Sequence, residues 1–166
     1  MRSTARIVGI GDTTLDGSPD LLATYNDKLY RYAGASGPAP SVSAPLLIGT
    51  GGWNVMTLTA PGDPNRDGRV DLLARDTRDG ILYSYFGQSN GTFSDLSEFG
   101  HGYTVTTRPL IAGGADADRN GVADMWATAG DGSLKFYKGG ADIHGPIDGT
   151  SIEVGTGGWG AIKSIS

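Results

Sequence analysis

Short apolar runs alternate with polar, glycine-containing turns along the whole chain. Three pairs of these runs share a tight turn of Asn, Asp or Gly between their members. The pairs are residues 20–25 with 28–32, residues 71–76 with 81–85, and residues 124–129 with 133–137. Such turns between short apolar runs predict β-hairpins. No segment repeats apolar residues at the 3.6-residue period of an amphipathic helix, so the chain is predicted to be all-β.

An acidic loop precedes the first run of each pair. Loop 1 spans residues 12–20, loop 2 spans residues 63–71, and loop 3 spans residues 116–124. The first Asp of the loop recurs after 51 residues, from Asp12 to Asp63, and again after 53 residues, at Asp116. Repeats of roughly this period are typical of propellers, solenoids and arrays. The chain therefore contains three repeats of one supersecondary unit.

A glycine-rich motif that ends in an aromatic residue closes each repeat. Each repeat is thus ordered as strand, acidic loop, strand, tight turn, strand, long loop and strand, and four short antiparallel strands are what one β-propeller blade requires. The 28 glycines and eight prolines also argue against helix. We predict one propeller segment over residues 1–166, with blade 1 at about 5–54, blade 2 at about 55–105, blade 3 at about 106–160 and the start of a further blade at 161–166.

The acidic loops and the strands after them resemble the FG-GAP or VCBS-type repeat family. The shared motif is Asp-x-[Asp/Asn]-x-[Asp/Asn]-Gly-x-x-Asp-Leu-Leu, which is almost intact at residues 63–73. Loop 1 departs from it at Thr14, and the strand after loop 3 departs from it at Met125 and Trp126. The resemblance covers essentially the whole chain. It implies an integrin-α-like, calcium-binding β-propeller of the kind found in some lectins and in many secreted bacterial proteins.

The three loops are predicted to hold up to three calcium ions per chain. Calcium takes about six to eight oxygen ligands, and positions 1, 3 and 5 of a tightly coiled loop point inward together. Glycine at position 6 permits the bend that returns position 9 to the ion, and position 7 offers its backbone carbonyl. The predicted ligands are Asp12, Thr14, Asp16, Ser18 and Asp20 in loop 1, Asp63, Asn65, Asp67, Arg69 and Asp71 in loop 2, and Asp116, Asp118, Asn120, Val122 and Asp124 in loop 3. Loop 1 is expected to bind most weakly, because Thr14 offers a hydroxyl in place of an amide or a carboxylate.

Ordinary turns, magnesium sites and EF-hands are the alternatives to calcium-binding loops. Ordinary Asp/Asn/Gly turns also use these side chains, to cap their own backbone amides. Magnesium demands a rigid octahedron and retains its waters, so it suits the loops less well than calcium does. An EF-hand is excluded because position 12 is Ala23, Ala74 or Ala127 where an EF-hand keeps a bidentate Glu, and because the flanking residues are strand-like.

Charge favours a bound cation. The chain has 18 acidic and 13 basic residues and a net charge of −5, and the loops hold nine of the acids. Three divalent ions would bring six positive charges and relieve the repulsion among the loop carboxylates. The predicted role of calcium is therefore to stabilise the fold. The affinity typical of extracellular calcium modules, about 10⁻⁴ to 10⁻³ M, fits a calcium-rich exterior.

Composition also limits the partners. An acidic chain with no basic stripe is not expected to bind nucleic acid. No apolar run approaches the roughly 18 residues of a membrane span, so no membrane insertion is expected. No signal peptide follows Met1. We expect a secreted, extracellular protein whose leader is not part of this sequence, and the absence of cysteine neither supports nor opposes export.

Three blades do not close a propeller, because propellers contain about four to eight. Residues 161–165 follow their glycine-rich motif as residues 55–59 and 106–110 follow theirs, so they are predicted to open a fourth, absent blade. Two interpretations follow. Two chains associate head to tail as a homo-oligomeric ring of six blades, or the chain is a segment of a longer propeller.

Trp53, Tyr103 and Trp159 occupy equivalent positions at the ends of the glycine-rich motifs. Glycan-binding members of the resembled family use aromatic pockets between blades, which implies that these side chains could stack on a sugar. The alternative is that they pack between neighbouring blades, where large flat side chains bury most area. We favour packing, because aromatic residues repeated at matching positions usually belong to the core.

No catalytic motif is present. The chain has no Gly-x-Ser-x-Gly elbow, no His-Glu-x-x-His, no P-loop and no cysteine. We therefore expect a non-enzymatic, calcium-stabilised propeller for extracellular recognition or adhesion, with a glycan or a protein as its ligand. The alternatives are an enzyme that uses residues of the variable loops, and an architectural or oligomerising accessory domain of a secreted hydrolase.

Overall fold

The computed structural model of the chain describes residues 6–37, 43–94, 96–140 and 147–165. These residues form twelve β-strands. The strands are β1 (Arg6–Gly11), β2 (Asp20–Tyr25), β3 (Lys28–Tyr32), β4 (Leu46–Gly49), β5 (Met56–Gly62), β6 (Asp71–Asp76), β7 (Leu82–Tyr85), β8 (Ser97–Gly100), β9 (Ile111–Ala115), β10 (Asp124–Thr128), β11 (Leu134–Gly139) and β12 (Ile147–Gly155). The predicted all-β class is confirmed.

The strands form three separate sheets, each of four strands in sequence order. Sheet 1 contains β1 to β4, sheet 2 contains β5 to β8, and sheet 3 contains β9 to β12. All neighbouring strands within a sheet are antiparallel. The predicted division into three four-stranded repeats is therefore confirmed.

The tight turn between the second and third strands needs backbone that most residues avoid. In sheet 1 the turn residues Asn26 and Asp27 have φ of 49° and 66°. Gly80 and Gly132 lie at φ of 76° and 83° in the other two sheets. Asn, Asp and Gly tolerate this left-handed region best, which is why these dipeptides identified the hairpins from sequence.

Two predicted strands differ in the structure. The strand expected over residues 106–110 begins instead at Ile111. The amide of Arg108 donates to the carbonyl of Thr104 at 2.9 Å, which closes a turn, and Pro109 has no amide to give to a ladder. Residues 162–165 have no regular secondary structure, and no strand of the described residues pairs with them.

Helix is almost absent from the described residues. Two 3-10 turns, Trp53–Val55 and Trp159–Ala161, follow Gly52 and Gly158, whose φ values are 84° and 82°. Within the described ranges, no helix has the length and apolar character that crossing a bilayer requires.

The core lies between the sheets. The first cluster joins Ile10, Leu22, Leu29 and Trp53, from sheet 1 and the turn after it, to Met56, Leu72, Ala74 and Tyr85 of sheet 2. The second joins Leu73 and Leu82 of sheet 2 to Ile111, Met125, Ala127 and Tyr137 of sheet 3. Successive residues of β6 thus face opposite neighbours, and all six are buried. Sheet 2 is covered on both faces.

The first strand of each sheet also contacts the first strand of the next, β1 with β5 and β5 with β9. These three strands share a cavity lined by residues of all of them and by Ile165. The sheets are therefore arranged side by side, with their first strands at a common inner edge. The acidic loop of each sheet connects its innermost strand to the second.

Candidate metal centre

The three acidic loops share one backbone conformation. Position 4 is in the left-handed region in every loop, with φ of 60° at Leu15, 60° at Arg66 and 62° at Arg119. Position 6 is glycine with φ between 85° and 87°. For a residue with a Cβ, the left-handed conformation costs about 1 to 2 kcal/mol. The same strain at the same position in three loops shows that the coil is a built feature of the repeat.

The carboxylate at position 1 organises each coil. It accepts hydrogen bonds from the backbone amides of positions 5 and 6. The N–O distances are 3.2 and 2.7 Å at Asp12, 3.1 and 2.8 Å at Asp63, and 3.1 and 2.9 Å at Asp116. Burial raises the pKa of Asp12, but the backbone amides of Gly17, Asp16, Thr14 and Leu15 together outweigh burial and leave that pKa below its ordinary value.

The side chains at positions 3 and 5 also accept hydrogen bonds from backbone amides of their own loop. The position 5 side chain accepts from the amide of position 7 in every loop, at 2.9 Å from Asp16, 2.9 Å from Asp67 and 2.7 Å from Asn120. Asn65 and Asp118 at position 3 accept from the amide of position 5, at 3.0 and 3.1 Å. Loop 1 differs, because the hydroxyl of Thr14 donates to Asp12 at 3.3 Å.

The position 9 carboxylates lie beneath the coils. Asp20, Asp71 and Asp124 are the first residues of β2, β6 and β10, and their exposure is no more than 1%. Each accepts from the amide of a glycine at or just beyond the end of the third strand. The distances are 2.7 Å from Gly34 to Asp20, 2.9 Å from Gly87 to Asp71 and 2.7 Å from Gly139 to Asp124.

Loop 2 leaves one of these carboxylates incompletely bonded. In loops 1 and 3 the amide of position 2 supplies a second hydrogen bond, from Thr13 to Asp20 at 3.1 Å and from Ala117 to Asp124 at 2.7 Å. Position 2 of loop 2 is Pro64, which has no amide hydrogen. The Oδ2 atom of Asp71 is buried and has no hydrogen-bond partner among the described residues.

The environment of Asp71 disfavours its charge. Burial, followed by the nearby carboxylates of Asp67 and Asp63, raises its pKa to about 7, against the lowering effect of the Gly87 amide and the smaller lowering effect of the Asn65 amide. A buried carboxylate oxygen without a donor is costly. A cation in loop 2 would supply the missing positive partner.

In loop 3 the carboxylates converge. Oxygens of Asp116, Asp118 and Asp124 lie within 4.8 Å of one another, and no other three carboxylates of the described residues are this close. Two oxygens that bind one calcium ion at about 2.3 to 2.6 Å are at most about 5 Å apart, so these three could share an ion. Lys138 competes for the site, because its ammonium lies 2.9 Å from Asp118 and, by hydrogen bonding to it, lowers the pKa of that carboxyl.

The fifteen predicted ligand residues lie in the three loops, but among the described residues three carboxylates come within 4.8 Å of one another in loop 3 alone. What the sequence did not indicate is the left-handed residue at position 4, since Leu and Arg carry no signal for it. The unpaired oxygen of Asp71 was also missed, although Pro64 next to Asp63 was the signal that could have found it.

The three motif aromatics pack against glycines of their own sheets. The ring of Trp53 occupies the space that a Cβ on Gly49 would need, and Trp159 does the same at Gly155. Trp53 also contacts the ring of Tyr85 in the next sheet, with 5.4 Å between centroids. With only 8% of its surface exposed, Trp53 is placed for packing rather than for a sugar.

Tyr103 is half-buried and lines a small polar groove. The other lining residues that carry side chains are His101, Arg108, Tyr137 and Ser151. The guanidinium of Arg108 donates to the Tyr137 hydroxyl at 2.5 Å and lies 5.9 Å from the centroid of that ring. Burial, followed by Tyr137, raises the pKa of Tyr103 to about 12. The groove therefore presents neutral hydroxyls beside one fixed cation.

A scan against models of known protein families gave no match, and a search of curated proteins found no relative. The resemblance to FG-GAP or VCBS-type repeats therefore stays a prediction from the sequence motif.

Proposed function

We propose that the chain is a calcium-stabilised, non-catalytic β-propeller repeat domain that serves extracellular recognition or adhesion. The observation that carries the proposal is the buried Oδ2 of Asp71, at the ninth position of an acidic coil, which accepts no hydrogen bond of good geometry from the described residues. The convergence of three carboxylates in loop 3 supports it independently. Turns that served only to cap their own amides would need neither feature.

The types of ligand atom in the coils indicate which class of cation they could bind. The coils offer carboxylates, amide oxygens, a hydroxyl and backbone carbonyls, and they contain no histidine or cysteine. Hard oxygen ligands suit calcium or magnesium rather than zinc or copper. A coil of one flexible segment suits calcium better, because calcium accepts irregular coordination of about six to eight ligands.

The ion would act on stability. An ion that binds the folded state alone at ten times its dissociation constant adds about 1.4 kcal/mol per site. For a domain of this size that corresponds to about 3 to 6 °C in melting temperature. It would also neutralise the mutual repulsion of the loop carboxylates and satisfy Asp71.

Thermal unfolding in chelator and then in calcium tests the proposal. We expect calcium to raise the melting temperature, and Asp67→Ala to lose more of that gain than Asp12→Ala. The matched control is Asp131→Asn, which removes one acid from a hairpin turn outside the coils and should keep the full gain. A melting temperature that does not respond to calcium would contradict the proposal.

We infer the propeller arrangement from the strand order of the three sheets and from the contacts between their first strands. Each repeat is a four-stranded antiparallel sheet whose first strand contacts the first strand of the next, as the inner strands of propeller blades do. The recognition surface is proposed to lie on the loops that differ between repeats, since variable loops on a rigid scaffold carry most binding specificity. Secretion is proposed together with calcium, because the affinity expected for such loops suits an extracellular setting.

Carbohydrate recognition is a second candidate, and the groove beside Tyr103 favours it. Exposed His101, half-buried Arg108 and two tyrosines form a polar and aromatic lining of the kind that hydroxyl-rich ligands use. Glycan-array binding in calcium, lost in His101→Ala and kept in Asp131→Asn, is the expected result. No binding to any glycan would leave a protein ligand or an architectural role as the function.

A further inference from the structure

The contact between neighbouring sheets repeats inside the chain. Trp53, after sheet 1, packs against Tyr85 in the third strand of sheet 2, with 5.4 Å between ring centroids and 42° between ring planes. Tyr103, after sheet 2, packs against Tyr137 in the third strand of sheet 3 at 5.9 Å and 46°. The same pair of positions therefore joins sheet 1 to sheet 2 and sheet 2 to sheet 3.

The chain also carries both halves of one more such pair. Trp159 is placed as its counterparts are, because its amide donates to the carbonyl of Gly132 in the hairpin turn, at 3.1 Å. The amides of Trp53 and Tyr103 donate to Asp27 and Gly80, which hold the same place in their turns, at 3.3 and 2.8 Å. No ring of the described residues stacks on Trp159. At the other end of the chain, Tyr32 of β3 occupies the position of Tyr85 and Tyr137, on a face of sheet 1 that no other sheet of the described residues covers.

The outer face of sheet 1 exposes positions that are buried elsewhere. Ile7 pairs with Ala23, as Leu58 pairs with Ala74 and Ile111 with Ala127. Ile111 is 8% exposed and Leu58 packs against the first cluster, whereas Ile7 is 71% exposed. Tyr25 and Leu47 are further large apolar side chains that sheet 1 exposes.

The outer face of sheet 3 shows the complementary exposure. Ile48 and Phe99, each just before the last glycine of its fourth strand, pack into the two clusters. Val154 holds that position in sheet 3 and is 53% exposed. Ile162 follows its 3-10 turn as Met56 does, yet it is 43% exposed against 9% for Met56.

We propose that the outer face of sheet 3 docks on the outer face of sheet 1 of a second copy of this chain, with Trp159 of one copy against Tyr32 of the other. The two exposed faces are the two halves of an interface that the chain already forms twice within itself. A second copy supplies both halves in equal number. The proposal does not depend on cation binding.

The number of copies follows from the number of sheets needed to close a ring. A head-to-tail contact produces a ring when its rotation closes and a filament when it does not. Propellers close with about four to eight blades, and six is the multiple of three in that range. The interface is therefore used twice in a closed pair of chains with six sheets, which leaves neither face in water.

Light scattering coupled to size-exclusion chromatography tests the proposal in calcium-containing buffer. The expected mass is twice the 17.1 kDa of one chain. Ile7→Asp on sheet 1 and Ile162→Asp at the edge of sheet 3 should each raise the dimer dissociation constant by at least about tenfold. The matched control is Leu96→Asp, because the exposure of Leu96 lies between those of Ile7 and Ile162 but Leu96 belongs to the middle repeat, and this variant should remain dimeric.

Mixing the variants tests the head-to-tail geometry. The Ile7→Asp chain keeps an intact sheet 3 face and the Ile162→Asp chain keeps an intact sheet 1 face, so the mixture should form a two-chain species that neither forms alone. That result also shows that both variants fold. A monomeric wild type, a dimer sensitive to one variant alone, or a continuing series of larger assemblies would each overturn the proposal. Calcium titration of the monomeric variants separates failure of this interface from failure of the cation sites.

Discussion

Pro64 distinguishes loop 2 from the other two loops, since it removes the amide that would bond the ninth-position carboxylate. Asp71→Asn keeps an acceptor for the Gly87 amide and removes a buried charge whose Oδ2 accepts no hydrogen bond of good geometry from the described residues. We expect this variant to melt no lower than wild type in chelator and clearly lower than wild type in calcium. Melting curves under both conditions measure the crossover.

Asp124→Asn is the matched comparison for that variant. Both oxygens of Asp124 accept backbone hydrogen bonds, from Ala117 and Gly139 at 2.7 Å each. An amide at this position must turn its NH₂ toward one of those donors, at a cost of about 1.5 to 3 kcal/mol. The variant should therefore be less stable in chelator as well as in calcium. Equal behaviour of the two variants in chelator would show that the Asp71 oxygen is satisfied in solution.

The ion pair between Asp76 and Arg78 contributes to the stability of the protein in acid. Its buried carboxylate accepts from the Arg78 guanidinium, with the closest N–O distance 2.5 Å, and this bond lowers the pKa of Asp76 below its ordinary 3.8. A depressed pKa contributes stability that is present above about pH 4 and is lost as the pH falls through the folded-state pKa. Asp76→Asn should flatten the dependence of melting temperature on pH below 4. The exposed neighbour Asp79, changed to Asn, should leave that slope as it is.

At the scale of elements, the hairpins could be predicted because their cause is local. Alternating apolar residues and Asn, Asp or Gly at the turns determine a hairpin wherever they occur, and each pair of runs formed one. The start of β9 could not be predicted, because it depends on the turn that Arg108 closes with Thr104. The left-handed conformation of position 4 in each loop could not be predicted either. The contacts that stabilise it are hydrogen bonds between the position 1 carboxylate and the amides of positions 5 and 6, not a property of the residue at position 4.

Arg75 connects sheet 2 to sheet 3. Nothing in the sequence indicated this role. Arg75 is 4% exposed in β6, and its guanidinium donates to the carbonyls of Arg108 and Pro109 at the entry to sheet 3, the latter at 3.3 Å. Arg75→Met would leave these buried carbonyls without donors, so we expect a loss of about 1.5 to 3 kcal/mol in the free energy of unfolding. Urea titration measures it, with Lys28→Met as a control for removing one strand cation. A loss under about 0.5 kcal/mol would show that water replaces the guanidinium.

At the scale of the molecule, sheet 2 is the one whose burial does not depend on a partner. All six residues of β6 are buried by sheets 1 and 3, whereas one residue of β1 and three residues of β2 are buried. Amide hydrogen exchange slows where opening must expose much apolar surface. We expect β6 and β7 to be the slowest to exchange in any assembly state.

The same measurement reports on the outer sheets. In a closed pair of chains, the outer faces of sheets 1 and 3 are covered, so β2, β3 and β11 should approach the protection of β6. In the monomeric Ile7→Asp variant those strands should exchange at least about tenfold faster, while β6 stays unchanged. Equal protection of sheets 1 and 3 in wild type and variant would mean that the faces are not covered in solution. Faster exchange in β6 as well would show that the substitution destabilises the chain as a whole.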